Sequence, residues 1–222
     1  MRKVKFVEGE FYHIFNRGVD KRIIFQDQDD LKRFFQSMKE FNVEEPIGSI
    51  YENSFNKSKN QLENLVSKQE QKLVNFICYC LNPNHYHFIL EPLVENGVEK
   101  FMQRIGGYSR YFNLKYKRNG ALFQGRFKAV HISSNEQLLH TSVYVNLNDN
   151  IHALGSRVPK LSSWNEYTRN INSIFCKKDI ILDQFDNKEE YKKFAEESLK
   201  DILSRRNESN DENIESKELF LE

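Results

Sequence analysis

Lys72-Leu-Val-Asn-Phe-Ile-Cys-Tyr-Cys-Leu81, Asn82-Pro-Asn84 and His85-Tyr-His-Phe-Ile-Leu90 follow one another near the middle of a 222-residue chain. The first and third runs are rich in β-branched and aromatic residues, and the second is a turn signal. The sequence therefore predicts a hairpin of two antiparallel strands. Upstream, residues 9–17 (Gly-Glu-Phe-Tyr-His-Ile-Phe-Asn-Arg) read as another strand, closed by Gly18. Asp27 to Asp30 suit a helix start, and Leu31, Phe34, Phe35, Met38 and Phe41 continue it at helical spacing to about Asn42. Residues 43–60, with Pro46 and Gly48, read as an inserted loop, and 61–71 as a helical stretch whose apolar side is Leu62 and Leu65.

Downstream, Asn96-Gly97 opens a helix with Val98, Phe101, Met102, Ile105 and Phe112 on its core side, interrupted at Gly106-Gly107. Ala121 to Ile132 reads as a strand kinked at Gly125. Ser134-Asn-Glu-Gln137 has the form of a capping box, with a helix following to about Asn148. The order β, α, β, β, α, β, α predicts an α+β sandwich, a mainly antiparallel sheet with helices on one face. The expected units are a domain over 1–155 with 43–71 inserted, a helical extension over 156–198 that packs on it, and an acidic, solvated tail over 199–222.

A chain that is 39% hydrophobic is long enough for one substantial core. No apolar run approaches the roughly 18–20 residues of a membrane span. Met1 to Phe6 is basic with no apolar stretch after it, so no signal peptide is expected and the cytoplasm is the default compartment. Three cysteines, Cys78, Cys80 and Cys176, do not make a disulfide framework. The net charge of +1 hides a gradient. From Phe101 to Lys128 there are seven basic residues and no acid, whereas from Asp201 to Glu222 acids outnumber bases seven to three.

Three constellations can carry chemistry. In His85-Tyr86-His87, strand alternation turns both imidazoles to one side, where two neutral rings can ligate a divalent metal; two half-exposed strand histidines fit the same spacing. On the helix after Ser134, His140, Tyr144 and Asn148 form a polar stripe at i, i+4 and i+8, and an Asn oxygen is a hard ligand suited to Mg²⁺ or Mn²⁺. An amphipathic helix with a Tyr at the core edge is the plain alternative. Over 101–128, the basic residues alternate with Phe101, Tyr108, Tyr111, Phe112, Tyr116, Phe123 and Phe127, a pattern for tracking phosphates and stacking unpaired bases. A solvated basic helix face with an aromatic core side gives the same composition. Cys78 and Cys80 with the two histidines leave a zinc module open, and His131-Ile-Ser133 supplies one of the two His-x-Ser/Thr motifs that a two-histidine phosphoesterase needs.

Leu81-Asn-Pro-Asn-His-Tyr-His-Phe-Ile-Leu90 resembles the signature of the IS200-like transposases, more closely their REP-associated tyrosine transposase branch, which belongs to the HUH single-strand endonucleases. Phe15-Asn-Arg-Gly18, Tyr108-Ser-Arg-Tyr-Phe-Asn113, Gly120-Ala-Leu-Phe-Gln-Gly-Arg-Phe-Lys128 and Tyr144-Val-Asn-Leu-Asn148 agree with that family in order and spacing. The resemblance covers about residues 8–155 and, more loosely, Trp164 to Ser198. It implies a ferredoxin-like core, His85, His87 and Asn148 as metal ligands for Mg²⁺ or Mn²⁺, and Tyr144 as nucleophile. Asp149 departs from the proline that usually follows the Asn in that branch.

The function so implied is cleavage and rejoining of single-stranded DNA, hairpin-containing, through a 5′-phosphotyrosine, by a monomer or homodimer acting at the nucleoid. Arg17, Arg104, Arg110, Lys115, Lys117, Arg118, Arg126 and Lys128 are the candidate DNA contacts. His140 is the candidate to assist deprotonation, and Tyr108 and Tyr111 are rival nucleophiles. A non-catalytic nucleic-acid-binding domain descended from such an enzyme is the competing reading.

Overall fold

In the computed structural model, residues 4–53, 71–154, 158–169 and 175–209 are described. The expected insertion over 43–71 and the tail over 199–222 lie largely outside them. Five antiparallel strands form one sheet in the order β4-β1-β3-β2-β5: β1 (Phe11–Arg17), β2 (Val74–Asn82), β3 (His85–Pro92), β4 (Lys128–Ile132) and β5 (Leu161–Ser162). The first four carry the ferredoxin-like β4-β1-β3-β2 arrangement, so the predicted hairpin supplies one of the two central strands. Asn82 and His85 pair directly across the turn at Pro83-Asn84.

The alternation of β3 divides the molecule. Tyr86, Phe88 and Leu90 turn to one face and pack under α1 (Gln28–Glu40), α2 (Gly97–Ile105) and α3 (Tyr108–Lys115). Leu31, Phe34 and Met38 of α1 and Val98, Phe101 and Ile105 of α2 complete this core, with Phe76 edge-on to both Phe88 and Phe101 at ring separations of 5.3 and 5.4 Å. Asp27 caps α1 by accepting from the Asp30 backbone N–H at 2.9 Å. Asp30 is wholly buried and accepts from Lys115 Nζ at 2.8 Å and the Tyr116 hydroxyl at 2.7 Å, tying the end of α3 to the start of α1.

The other face of the sheet is covered as well, which corrects the expectation of helices on one face. A register shift between Phe76 and Cys78 turns Ile77, Cys78 and Cys80 to this side together with Ile89. Over them lie α4 (Asn135–Asn146), α5 (Asn148–Ile151), α6 (Trp164–Thr168), α7 (Asp179–Leu182) and α8 (Lys188–Ser209). The C-terminal extension thus forms a second layer, and it also supplies β5, an edge strand that the sequence reading lacked. Residues 199–209 belong to α8 rather than to a tail, and Arg206 donates to the Ile151 carbonyl at 2.7 Å.

Two further boundaries differ from expectation. The strand expected from Ala121 is confined to Lys128–Ile132, because Gly125 takes φ +68°, and the preceding stretch meets the end of β1 through a Gly18–Phe123 bridge, the Gln124 N–H on the Arg17 carbonyl and the Asn16 amide on the Gly125 carbonyl. The helix after Ser134 breaks at Leu147, whose φ of −108° and ψ of 18° leave the helical region before α5 begins. The Ser134 cap is present, its hydroxyl accepting from Gln137 N at 3.1 Å. The Gln137 side chain, however, reaches back to the Ser133 N–H rather than to Ser134. No helix of the described residues is long and apolar enough to cross a membrane.

The second layer is bolted by buried polar contacts. Tyr167 donates to the Ile77 carbonyl at 2.7 Å, Asn146 Nδ2 donates to the Tyr191 hydroxyl at 3.0 Å, and Ser163 donates to Asn146 Oδ1 at 2.6 Å. Replacing the fully buried Tyr191 by Ala should therefore cost about 3–5 kcal/mol by urea denaturation, as for other large aromatics deleted from a core. A loss below about 1 kcal/mol would mean that the layer is only loosely attached.

Candidate active site

β1 and β3 pair so that Phe15 lies opposite His87 and Arg17 opposite His85. Since paired residues share a face, His13, Phe15 and Arg17 stand on the same side as the two histidines. That side is the one covered by α4, and Tyr144 comes down onto it. The Tyr144 ring stands edge-on to His87 at 5.6 Å and to His13 at 6.1 Å, and only 6% of the residue is exposed. His85 and His87 are perpendicular neighbours with ring centres 5.2 Å apart.

The break at Leu147 swings Asn148 into this space. Its Oδ1 lies 2.8 Å from His85 Nε2, and Asn82 Nδ2 lies 2.9 Å from that nitrogen and 2.7 Å from that oxygen. His85 Nδ1 is 2.6 Å from Asn84 Oδ1, which can only accept. A neutral ring with its proton on Nδ1, donated to Asn84 Oδ1, presents the Nε2 lone pair beside that of Asn148 Oδ1. Asn148 Nδ2 is buried with no hydrogen-bond partner. In that tautomer two hard-to-intermediate donor atoms converge here, so the residues fit a divalent cation such as Mg²⁺ or Mn²⁺.

His87 is held differently. Its Nδ1 is 2.9 Å from His13 Nε2, with the two rings nearly parallel, 13° apart, and Phe15 stacked on both. With Nδ1 so occupied, Nε2 is the nitrogen left for ligation. Burial pushes His87 well below the usual histidine range, helped by the neighbouring His13, His85 and His152, so the ring is neutral, as a ligand must be.

The sequence reading missed His13, Asn82 and His152, whose ring lies 4.9 Å from that of His85. Two of them were within reach. Asn82 flanks a two-residue turn opposite His85, and His13 alternates with Phe15 and Arg17 on a strand already identified. The predicted stripe of His140, Tyr144 and Asn148 does not survive the helix break. His140 is exposed and packs on the Phe194 ring at 5.4 Å, while Tyr144 and Asn148 are buried. Nothing places His140 beside the cluster, and its assisting role is withdrawn. The rivals Tyr108 and Tyr111 belong to the opposite face, where Tyr108 donates to the Ile24 carbonyl at 2.7 Å and Tyr111 to Asp30 at 3.4 Å. Cys78 and Cys80 are buried thiols held well above their usual pKa by burial, unlike zinc-binding thiolates. Among the described residues no group of three or more His, Cys, Asp and Glu is gathered as a metal cluster. The candidate ligand set is two imidazoles and an amide.

The basic residues divide by task. Arg104 donates to the carbonyls of Phe41, Val43 and Glu44, fixing the chain after α1, and Lys115 is paired with Asp27 and Asp30. The Arg104 donors and the Lys115 charge are engaged inside the protein, so both leave the set of candidate DNA contacts. Arg118 donates to Asn113 Oδ1 at 2.7 Å and lies over the Phe112 ring. Arg110, Lys117 and Arg126 are exposed. Register places Arg17 and Lys128 on the face of the histidines, with Lys128 over the Phe15 ring at 5.8 Å.

Burial also pushes His13 down to about 3 from the usual 6.5. The unfolded chain takes up a proton near 6.5 that the folded protein refuses, so this contribution is complete above that pH and is lost as pH falls toward 3. Between about pH 7 and pH 5 wild type should lose on the order of 2 kcal/mol of stability to this group, a loss that His13→Leu removes. Urea denaturation at the two pH values checks it, and identical pH dependence in both proteins would contradict it.

The model of the family described as IS200-like transposases matches residues 49–148, a span that holds His85, His87, Tyr144 and Asn148. No curated protein matches the chain. Among solved structures, that of a REP-associated tyrosine transposase bound to a REP hairpin is similar over 81% of this chain and 92% of that one, at 14% sequence identity and a TM-score of 0.43. Residues 49–148, a little under half of the chain, thus resemble the IS200-like transposases.

Proposed function

We propose that the protein cleaves and rejoins single-stranded DNA, with Tyr144 as nucleophile and His85, His87 and Asn148 holding Mg²⁺ or Mn²⁺. The observation that carries this reading is the convergence of Tyr144, two neutral imidazoles and the Asn148 amide oxygen on one face of the sheet, within the span matched by the family. When bound, the metal supplies positive charge to a non-bridging oxygen of the scissile phosphate.

The chain's own residues do the rest. The Tyr144 phenolic oxygen forms a bond to phosphorus while the bond from phosphorus to the 3′ oxygen breaks. The phenolic proton ends on the released 3′ hydroxyl and the 5′ phosphate stays on Tyr144. Attack by another 3′ hydroxyl runs the same exchange backwards and joins a new strand, with no water consumed. The edge-on packing against His13 and His87 restricts the Tyr144 ring, so that little rotamer freedom is lost on reaching the reacting position. Arg17 and Lys128, on the same face, are suited to receive the strand's phosphates, with Arg110, Lys117, Arg118 and Arg126 as outer contacts.

Single-stranded DNA from the regions flanking the gene, palindromes included, incubated with Mn²⁺ should give a covalent protein–DNA adduct on a denaturing gel. The adduct should need metal, vanish in Tyr144→Phe and persist in Tyr108→Phe. Tight DNA binding with no adduct under any metal would leave a non-catalytic binding domain instead.

A further inference from the structure

Asn82 stands at the centre of the candidate metal site, yet the proposed ligand set of His85, His87 and Asn148 does not include it. It is the last residue of β2, fully buried, and paired in register with His85 across a two-residue turn. Its Nδ2 touches both His85 Nε2 and Asn148 Oδ1, at 2.9 and 2.7 Å, and those two acceptors are 2.8 Å apart. The three atoms form a nearly equilateral triangle. The two N–H bonds of an amide diverge about twice as widely as that triangle allows, so one amide group cannot aim a straight hydrogen bond at both acceptors. In this arrangement the amide donor is an imperfect stand-in for a positive ion.

We infer that Asn82 is a further metal ligand: on cation binding its amide turns over and presents Oδ1 beside His85 Nε2 and Asn148 Oδ1. The inference rests on the metal-dependent reading above. A cation that takes the lone pairs of His85 and Asn148 cannot tolerate the positive end of an N–H dipole within hydrogen-bonding distance of both. The two ends of an Asn amide are nearly the same size, so half a turn about the last side-chain bond reverses the dipole without disturbing the packing. The partner at the far end accommodates either orientation. Cys80 Sγ lies 3.5 Å from Asn82 Oδ1, where a thiol can donate weakly to an oxygen or accept weakly from an N–H. The exchange adds a second hard amide oxygen to a set otherwise made of one amide oxygen and two imidazoles, which favours Mg²⁺ and Mn²⁺ over softer ions.

The test is Mn²⁺ affinity, by calorimetry and by loss of the free-ion electron paramagnetic resonance signal, on full-length wild type, Asn82→Leu and Asn82→Asp. Circular dichroism verifies folding, with Asn82→Ala in reserve should Leu prevent it. Loss of a ligand should weaken binding on the order of tenfold in Asn82→Leu, and a carboxylate at the same place should tighten it by at least about as much in Asn82→Asp. If Asn82 merely occupies the ion's place, Asn82→Leu will bind Mn²⁺ as tightly as wild type or more tightly, and the assignment is overturned. A wild type that takes up no Mn²⁺ overturns the metal reading itself, an outcome distinct from uptake that ignores position 82.

Discussion

Everything in the site depends on β3 being buried on both of its faces. An exposed strand could carry His-x-His at no cost, each ring hydrated. With α1 to α3 on one side and α4 to α8 on the other, the alternation that sends Tyr86 and Phe88 into one core sends His85 and His87 into the second. Imidazoles in such a place must be neutral and must have partners, because a buried polar group without one costs about 1–3 kcal/mol. The sheet supplies partners from adjacent strands: His13 from β1 for His87, and Asn82 with Asn84 from the hairpin for His85. The result is a rigid set of neutral nitrogen lone pairs, the state metal ligation requires.

The second layer turns this buried cluster into a site with chemistry. Tyr144 and Asn148 come from opposite sides of the break at Leu147, so their relation is set by a kink held from behind by Arg206 on the Ile151 carbonyl and by Lys160 on Asp149 at 2.8 Å. A continuous helix would have kept Asn148 two turns along the stripe from His140. The break allows Asn148 to meet His85 instead. Asp149 stands where a proline is usual in the resembling branch, and its ion pair with Lys160 gives that position a structural use here.

Much of this was legible in the amino-acid sequence, and the exceptions have physical reasons. The hairpin, the helix of Leu31, Phe34 and Met38, and the shared face of His85 and His87 follow from periods of two and 3.6 and from turn residues, all of which are local. The covering of the second face was not legible, because Ile77, Cys78 and Ile89 look the same in a strand buried on one side as in one buried on both. The break at Leu147 carries no Gly or Pro to mark it. His13 reads as one more residue of an alternating strand until β1 is known to pair with β3. The basic segment illustrates the converse limit. Charge counts cannot separate Lys115, spent on the buried Asp30, from Lys128, which shares the face of the histidines.

The central claim is that the lone pairs gathered between β3 and α5 hold a divalent cation. Anomalous diffraction from crystals grown with Mn²⁺ tests it most directly. The account predicts one strong manganese peak bounded by His85 Nε2, His87 Nε2 and Asn148 Oδ1, on the side of the sheet that carries Tyr144. A peak at another place, or none there with Mn²⁺ at concentrations that occupy ordinary surface sites, would contradict it.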